Sequence, residues 1–428
     1  MNTRDSLVYT ALALWLLIGT GCTRMSSNSG PVEKHAIAIV APTQATDVEN
    51  LAAKEIRRYL YVRTGQLLPI ITSDDLPKSP LGCIVVGAKQ RTLLASTIQD
   101  AEGLSGMVDN LGPEQYAIKT LSHDKRRLVV IAGGDAIGTL YGSYRFAEIL
   151  GVRFYLHGDM IPDERMELGL PEVEETGKPL FAVRGIQPFH DFPEGPDWWN
   201  ADDYKAIIAQ LPKLRMNFIG LHTYPEGHAG PEPTVWIGLG SDVEKDGTVA
   251  FSSKSSYQNT LRGNWGYAPK KTSEYTCGAD QIFERDDYGP KTMYGMMPWP
   301  ETLQEKNMVF NRVAALLREA FEYAHDLGVK TCVGTETPLT IPTEVKDRLA
   351  DLGMDPSDTK TMQRVYQGMF ERVARAYPLD YYWFWTPEDW TWKDPKPERI
   401  EATLSDLRAA IAAHQTVGPD FTLATCGW

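Results

Sequence analysis

Cysteine is scarce, with five residues in a chain of 428. The four beyond the N-terminal region, Cys83, Cys277, Cys332 and Cys426, form no CxxC pair and no zinc spacing. That pattern argues against a disulfide-stapled scaffold or a structural zinc module and favours buried thiols in a large core. Positive charge is in deficit too. The formal net charge of -13 repels phosphate backbones and anionic membranes, which disfavours a nucleic-acid partner. The one apolar run near the N-terminus, Leu7–Ile18, is too short for a comfortable membrane span. No cofactor motif stands out, and no metal is expected, since His190 and His222 have no third ligand at a suggestive spacing.

Arg4, the Leu7–Ile18 run and Gly19-Thr20-Gly21-Cys22 form a targeting pattern. It resembles a bacterial lipoprotein signal, in which Cys22 becomes the lipidated first residue. The polar stretch Thr23–Gly30 then reads as a tether. An exported protein is expected, in the periplasm or on the cell surface, touching the membrane only through a lipid anchor at Cys22.

Hydrophobic residues make up 43% of the chain and charged residues 23%, an ordinary globular balance, and the length predicts two domains. Ala36–Ala41 reads as a strand and Asp47–Arg63 as a helix with Gly65 as its C-cap. Cys83–Gly87, Gln115–Lys119 and Arg127–Ala132 read as strands, and Gly133-Gly134-Asp135 opens a second helix stopped by Gly151. This is a small α+β domain over residues 36–161, after a signal peptide over 1–22 and a tether over 23–35. The acidic, proline-punctuated residues 162–180 read as a linker.

From Phe181 the pattern becomes βα repeats. Strands are expected at Arg184–His190, Asn217–Thr223, Lys330–Thr337, Tyr381–Trp385 and Phe421–Trp428. The long irregular stretch Tyr224–Pro300 reads as an elaborated loop. No Gly-rich phosphate turn follows the first strand, and polar residues gather after strand ends, so a (β/α) TIM-type barrel is favoured over a doubly wound sheet. A full barrel has eight units. Residues 181–428 supply about five strands, so the fold class expected is α/β, an α+β domain followed by a barrel truncated after about five strands.

Ala52–Ile70 (AAKEIRRYLYVRTGQLLPI) and Gly133–Pro162 (GGDAIGTLYGSYRFAEILGVRFYLHGDMIP) carry a family likeness. They resemble the N-terminal domain of family 67 α-glucuronidases, a domain type that also precedes the barrel in hexosaminidases of families 20 and 84. Phe181–Phe192, Gly328–Pro338 and Tyr377–Trp390 resemble, in order, barrel strands of the glucuronidases. The resemblance implies a carbohydrate substrate and places the acid catalyst, a Glu just beyond the fourth strand, on Glu388. Where the family has Ser-Glu-Gly this chain has Pro387-Glu388-Asp389. It also implies that the base-side carboxylates come from later strands, so this chain alone would carry the acid without its base.

Glycoside cleavage takes an acid for the leaving oxygen and a second carboxylate on the opposite face. Glu388 and Asp389 follow a strand of bulky aromatics, where partial desolvation raises a carboxyl toward a working acid; the bland alternative is a helix or turn cap. Glu336, at the end of the third strand, is a candidate for sugar hydroxyls or for a structural ion pair. His190, Asp191 and His222 also follow strand ends as substrate-binding candidates. The long loop holds Trp236, Trp265, Tyr267, Tyr288 and Trp299 with Arg262, Lys270 and Lys271. There Trp265 offers a sugar-stacking face and Arg262 a fork for a uronate, or the loop packs over the barrel mouth. The leading expectation is an α-glucuronidase-like hydrolase of uronic-acid-bearing polysaccharide. The alternatives are a retaining N-acetylhexosaminidase-like enzyme, whose Asp-Glu or Asp-Asp pair is reversed in Glu388-Asp389, and a non-catalytic glycan-binding lipoprotein.

Overall fold

The computed structural model describes residues 36–99, 103–123, 126–188, 196, 199–223, 233–253, 300–387, 390 and 393–426. The front layer begins with strand β1 (Ile37–Ala41), helix α1 (Asp47–Thr64), β2 (Ile70–Thr72) and β3 (Gly82–Ala88). Helices α2 (Thr92–Gln99) and α3 (Ser105–Val108) lead to β4 (Tyr116–His123), β5 (Arg126–Gly133) and α4 (Ala136–Ile149). The ribbon β6 (Arg153–Tyr155) and β7 (Gly158–Met160) precedes β8 (Glu174–Gly177).

Six of these strands form one sheet in the order β2-β1-β3-β5-β4-β8. β4 runs antiparallel to both neighbours, while β1, β2, β3 and β5 are mutually parallel. The parallel strands are apolar runs because both faces are covered. Ile39, Ile84, Val86, Val129 and Ile131 pack against Ile56, Tyr59, Leu140 and Tyr144 of α1 and α4. The intervening Val40, Val85 and Val130 pack against Leu93, Leu94 and Val108 of α2 and α3. A capping box starts α1: Thr46 Oγ1 accepts from Glu49 N at 3.2 Å, and Glu49 Oε2 accepts from Thr46 N at 2.8 Å. Gly65 ends it in the left-handed conformation at φ 76°.

Part of the expected linker belongs to this sheet. Glu174–Gly177 is an edge strand on β4, with Tyr116 opposite Gly177. Its polar alternation suits an edge with one wet face.

The second layer comprises β9 (Gly185–Ile186), α5 (Ala201–Lys213), β10 (Phe218–Thr223), α6 (Leu303–Asp326), β11 (Lys330–Glu336), α7 (Thr343–Asp351), α8 (Thr359–Ala376), β12 (Tyr381–Trp385), α9 (Pro397–Val417) and β13 (Thr422–Cys426). All five strands are parallel and pair in chain order, β13-β12-β11-β10-β9. A doubly wound sheet reverses direction at a switch point, whereas this order advances one neighbour at a time, as a (β/α) barrel wall does. Helix-side residues Ile219, Leu221, Val333, Tyr382 and Phe384 share a core with Leu317 and Phe321 of α6 and Val365 and Phe370 of α8.

Residues 36–428 form one compact unit. The seam between the layers combines apolar packing, with Leu51 against the second core and Leu214 against the first, and ion pairs: Lys213 Nζ donates to Asp159 at 2.8 and 3.0 Å, and Arg215 clamps Glu148 with two bonds of 2.7 Å. Arg184 Nη2 donates to Glu114 at 2.6 Å.

Candidate active site

Strand alternation puts every second residue of the second sheet on the face away from the helices. On β10 these are Phe218, Gly220 and His222; on β11, Cys332, Gly334 and Glu336; on β12, Tyr381, Trp383 and Trp385. Cys332, Trp383 and Trp385 form their own cluster there, flanked by Phe218, Tyr381 and Ala424. Register aligns Glu336 with Trp385 and His222 with Gly334, so the polar groups gather at the C-terminal ends of the strands. That is the end where barrel enzymes build their sites.

Two glycines make the floor. A Cβ on Gly334 would lie 2.0 Å from Trp383 Cδ1, and one on Gly220 would lie 2.4 Å from Trp383 Cη2. The indole therefore lies across both strands, and its Nε1 donates to the Leu221 carbonyl at 3.1 Å. Trp385 meets it edge-on, with ring centroids 5.8 Å apart and planes at 77°.

The His222 ring lies 4.6 Å from the Trp385 ring and is buried, at 1% exposure. Its Nε2 is 3.8 Å from Glu336 Oε1, an ion pair when the imidazole is protonated, and the Glu336 side chain keeps 38% exposure at the mouth. Of this cluster only the Glu336 carboxylate reaches solvent, where it can accept from hydroxyls; Trp383 and Trp385, at 8% and 5% exposure, are buried behind it with His222.

The loop after Glu336 is fastened from behind. Thr337 N donates to the Trp385 carbonyl at 2.9 Å. One oxygen of Asp406 on α9, Oδ2, accepts from Thr337 Oγ1 at 2.8 Å, Leu339 N at 3.1 Å and Tyr366 OH at 2.7 Å. Burial pushes the Asp406 carboxyl above its ordinary range, against the lowering effect of those three donors.

Of the residues expected from sequence, Glu336 and His222 are brought together on this face. Cys22, His190, Asp191, Arg262, Trp265, Glu388 and Asp389 lie outside the described residues. The strand that precedes Glu388 in the chain, β12, ends at Trp385 beside Glu336. Trp236, in the loop read either as a sugar wall or as packing, takes the packing role. It is fully buried with Val249 and Phe310, and its Nε1 donates to the Phe251 carbonyl at 3.0 Å. Trp383, Trp385 and Asp406 were not singled out from sequence as site residues. The period of two in Tyr381–Trp385 marks the first two, while no local signal marks Asp406. Among the described residues no group of three His, Cys, Asp or Glu is placed to hold a metal ion.

Residues 25–146 match the family model described as the glycosyl hydrolase family 67 N-terminus. The front layer is thus a domain of that type, as the resemblance of Ala52–Ile70 and the start of Gly133–Pro162 implies. No curated protein sequence matches the chain. Among solved structures it is similar to a GH20 exo-β-N-acetylglucosaminidase from Vibrio harveyi in complex with N-acetylglucosamine. That match has 14% identity and a TM-score of 0.44, covering 92% of this chain and 51% of the other. A Streptomyces plicatus β-hexosaminidase mutant in complex with product matches at 11% identity and a TM-score of 0.44, covering 91% of this chain and 61% of the other. A GH138 enzyme targeting pectin rhamnogalacturonan II matches at 11% and 0.41, covering 90% and 34%. The chain spans about half the length of the first of these and less than two thirds of the second. All three TM-scores lie below 0.5, so the fold stated above rests on the chain's own strand pairing.

Proposed function

We propose that this chain acts as an exported, α-glucuronidase-like glycoside hydrolase on uronic-acid-bearing polysaccharide, by acid/base hydrolysis. The observation that carries the reading is the meeting of Glu336, His222 and Trp385 at the C-terminal ends of parallel strands, behind a family 67 N-terminal domain. Glu336 holds sugar hydroxyls, and the buried His222 and Trp385 back it from within the sheet. Glu388, three residues beyond Trp385 in the chain, is the general acid that protonates the leaving oxygen, with Asp389 at its side. His190 and Asp191 add hydroxyl contacts, Trp265 walls the sugar, and Arg262 forks the uronate carboxylate. Export rests on the Leu7–Ile18 run and the lipid anchor on Cys22.

The test is turnover of aldouronic acids against aryl N-acetylhexosaminides by wild type and Glu388→Gln. Aldouronic-acid release that falls by about 10²-fold or more in the variant supports the reading, that being the usual scale of a general acid's contribution. Turnover unchanged by Glu388→Gln removes Glu388 from the role. Preference for the hexosaminide replaces the substrate class, and glycan binding without turnover in either protein makes the chain a binder.

A further inference from the structure

Helix α8 carries a cation that the fold leaves without a counter-charge. Arg372 is 1% exposed. Its Nη2 donates to the Phe310 carbonyl on α6 at 3.0 Å, while its Nε and Nη1 are buried with no hydrogen-bond partner. A neutral acceptor could satisfy those N–H groups, but only an anion balances a buried guanidinium.

Among the described residues none supplies that anion. Burial is the largest influence on Arg372 and lowers its pKa; Tyr377 acts upward and Arg318 downward. The Tyr377 phenol is held neutral by its own burial and donates to the Thr234 carbonyl at 2.7 Å. Arg318 is a second cation, bonded to the Ala376 and Arg375 carbonyls at 2.8 and 3.2 Å. Arg375 donates to the Glu244 carbonyl at 3.2 Å. The nearest carboxylate in sequence, Glu371, is turned to Gly240, its Oε2 lying 2.9 Å from where a Cβ would stand.

The surroundings suit a small ion. Phe310 packs with Trp236 and Val249 in a buried cluster. One turn before Arg372, a Cβ on Gly368 would fall 2.4 Å from the Gly238 carbonyl oxygen, so helix and loop backbone touch and no sugar-sized group passes between them. Trp236 Nε1 donates to the Phe251 carbonyl, and the next two residues, Ser252 and Ser253, bring buried hydroxyls without partners to the border of the same cluster. N–H and O–H donors beside apolar rings match an anion with one charge and little shape.

We propose that Arg372 is the centre of a buried site for a small monovalent anion of chloride size, which ties α8 to α6 and to residues 233–253. Urea unfolding of the full-length protein tests it, at fixed ionic strength, with sodium methanesulfonate exchanged for sodium chloride from about 5 mM to about 500 mM. A ligand that binds only the folded state raises the folding constant in proportion to its concentration beyond the dissociation constant. The wild-type folding constant is expected to rise about tenfold or more across that range, and chloride NMR lines are expected to broaden on adding the protein. Arg372→Met removes the charge and keeps an apolar stem, so it is expected to fold, to be at least as stable as wild type at the lowest chloride, and to lose both chloride effects. Should Arg372→Met not fold, Arg372→Gln takes its place. A wild-type folding constant that is flat in chloride overturns the proposal, and so does a chloride effect of the same size in the folded Arg372 variant. Neither readout depends on whether Glu388 catalyses hydrolysis.

Discussion

Asp406 sits on α9, yet a single one of its oxygens fastens Thr337, Leu339 and Tyr366, residues 69, 67 and 40 positions away. Nothing in its own neighbourhood in sequence marks it, because all its partners are tertiary. Glu336 was legible for the opposite reason, since its place after a run of strand residues puts a carboxylate at a sheet end. Burial raises the Asp406 carboxyl above its ordinary value, so its contribution to stability is fully present below that value and is lost as pH rises through the raised one. Asparagine stays neutral and can offer its carbonyl where Oδ2 stands. Asp406→Asn is therefore expected to gain stability relative to wild type between about pH 3 and about pH 7, read by urea unfolding at both. A difference that moves the other way would mean the three donors matter more than burial.

At the scale of the element, strand period explains which residues on the face away from the helices could be foreseen. Tyr381–Trp385 reads as a strand, and its alternation separates Tyr382 and Phe384 in the helix-side core from Trp383 and Trp385 in a second buried cluster on the other face. What the strand alone withholds is why Trp383 fits, because Gly220 and Gly334 belong to two other strands. Helices α2 and α7 went unread because they are short. The edge strand β8 went unread because its residues are polar and flanked by proline. Gly334→Ala drives a methyl into both the Trp383 ring and the Trp383 backbone carbonyl on the adjacent strand, each 2.0 Å from the added Cβ. The expected cost is about 1–3 kcal/mol of unfolding free energy, the range for overpacking a filled core. Near-UV circular dichroism, which reports fixed indoles, should change with it. A variant of wild-type stability and unchanged spectrum would show that the indole is not seated on that glycine.

Across the whole molecule, the family 67-type front layer and the second layer meet through ion pairs beside apolar contacts, and the two layers are legible in the sequence while what joins them is not. Asp159, on the β6–β7 ribbon, faces Lys213, Tyr59 and Arg58, while Glu148 faces Arg215 and Arg145. Burial on its own would raise both carboxyls; for Asp159 the Lys213 and Tyr59 hydrogen bonds and for Glu148 the Arg215 and Arg145 bonds outweigh it and hold each below the ordinary range. Depressed carboxyls stabilise the fold at pH values above their unfolded pKa and lose that contribution as pH falls through the folded pKa. The seam should therefore weaken as pH drops below about 4, the ordinary carboxylate range. Asp159 and Lys213 have side-chain exposures of 9% and 7%, so Asp159→Asn leaves a nearly buried ammonium short of its counter-charge. The expected loss is about 3–5 kcal/mol at neutral pH, together with a flatter fall in stability between about pH 5 and about pH 3. Urea unfolding across that range, by tryptophan fluorescence, measures both quantities. If the variant kept the wild-type acid slope, Asp159 would not be the group whose protonation loosens the seam, and Glu148→Gln would be expected to flatten it instead.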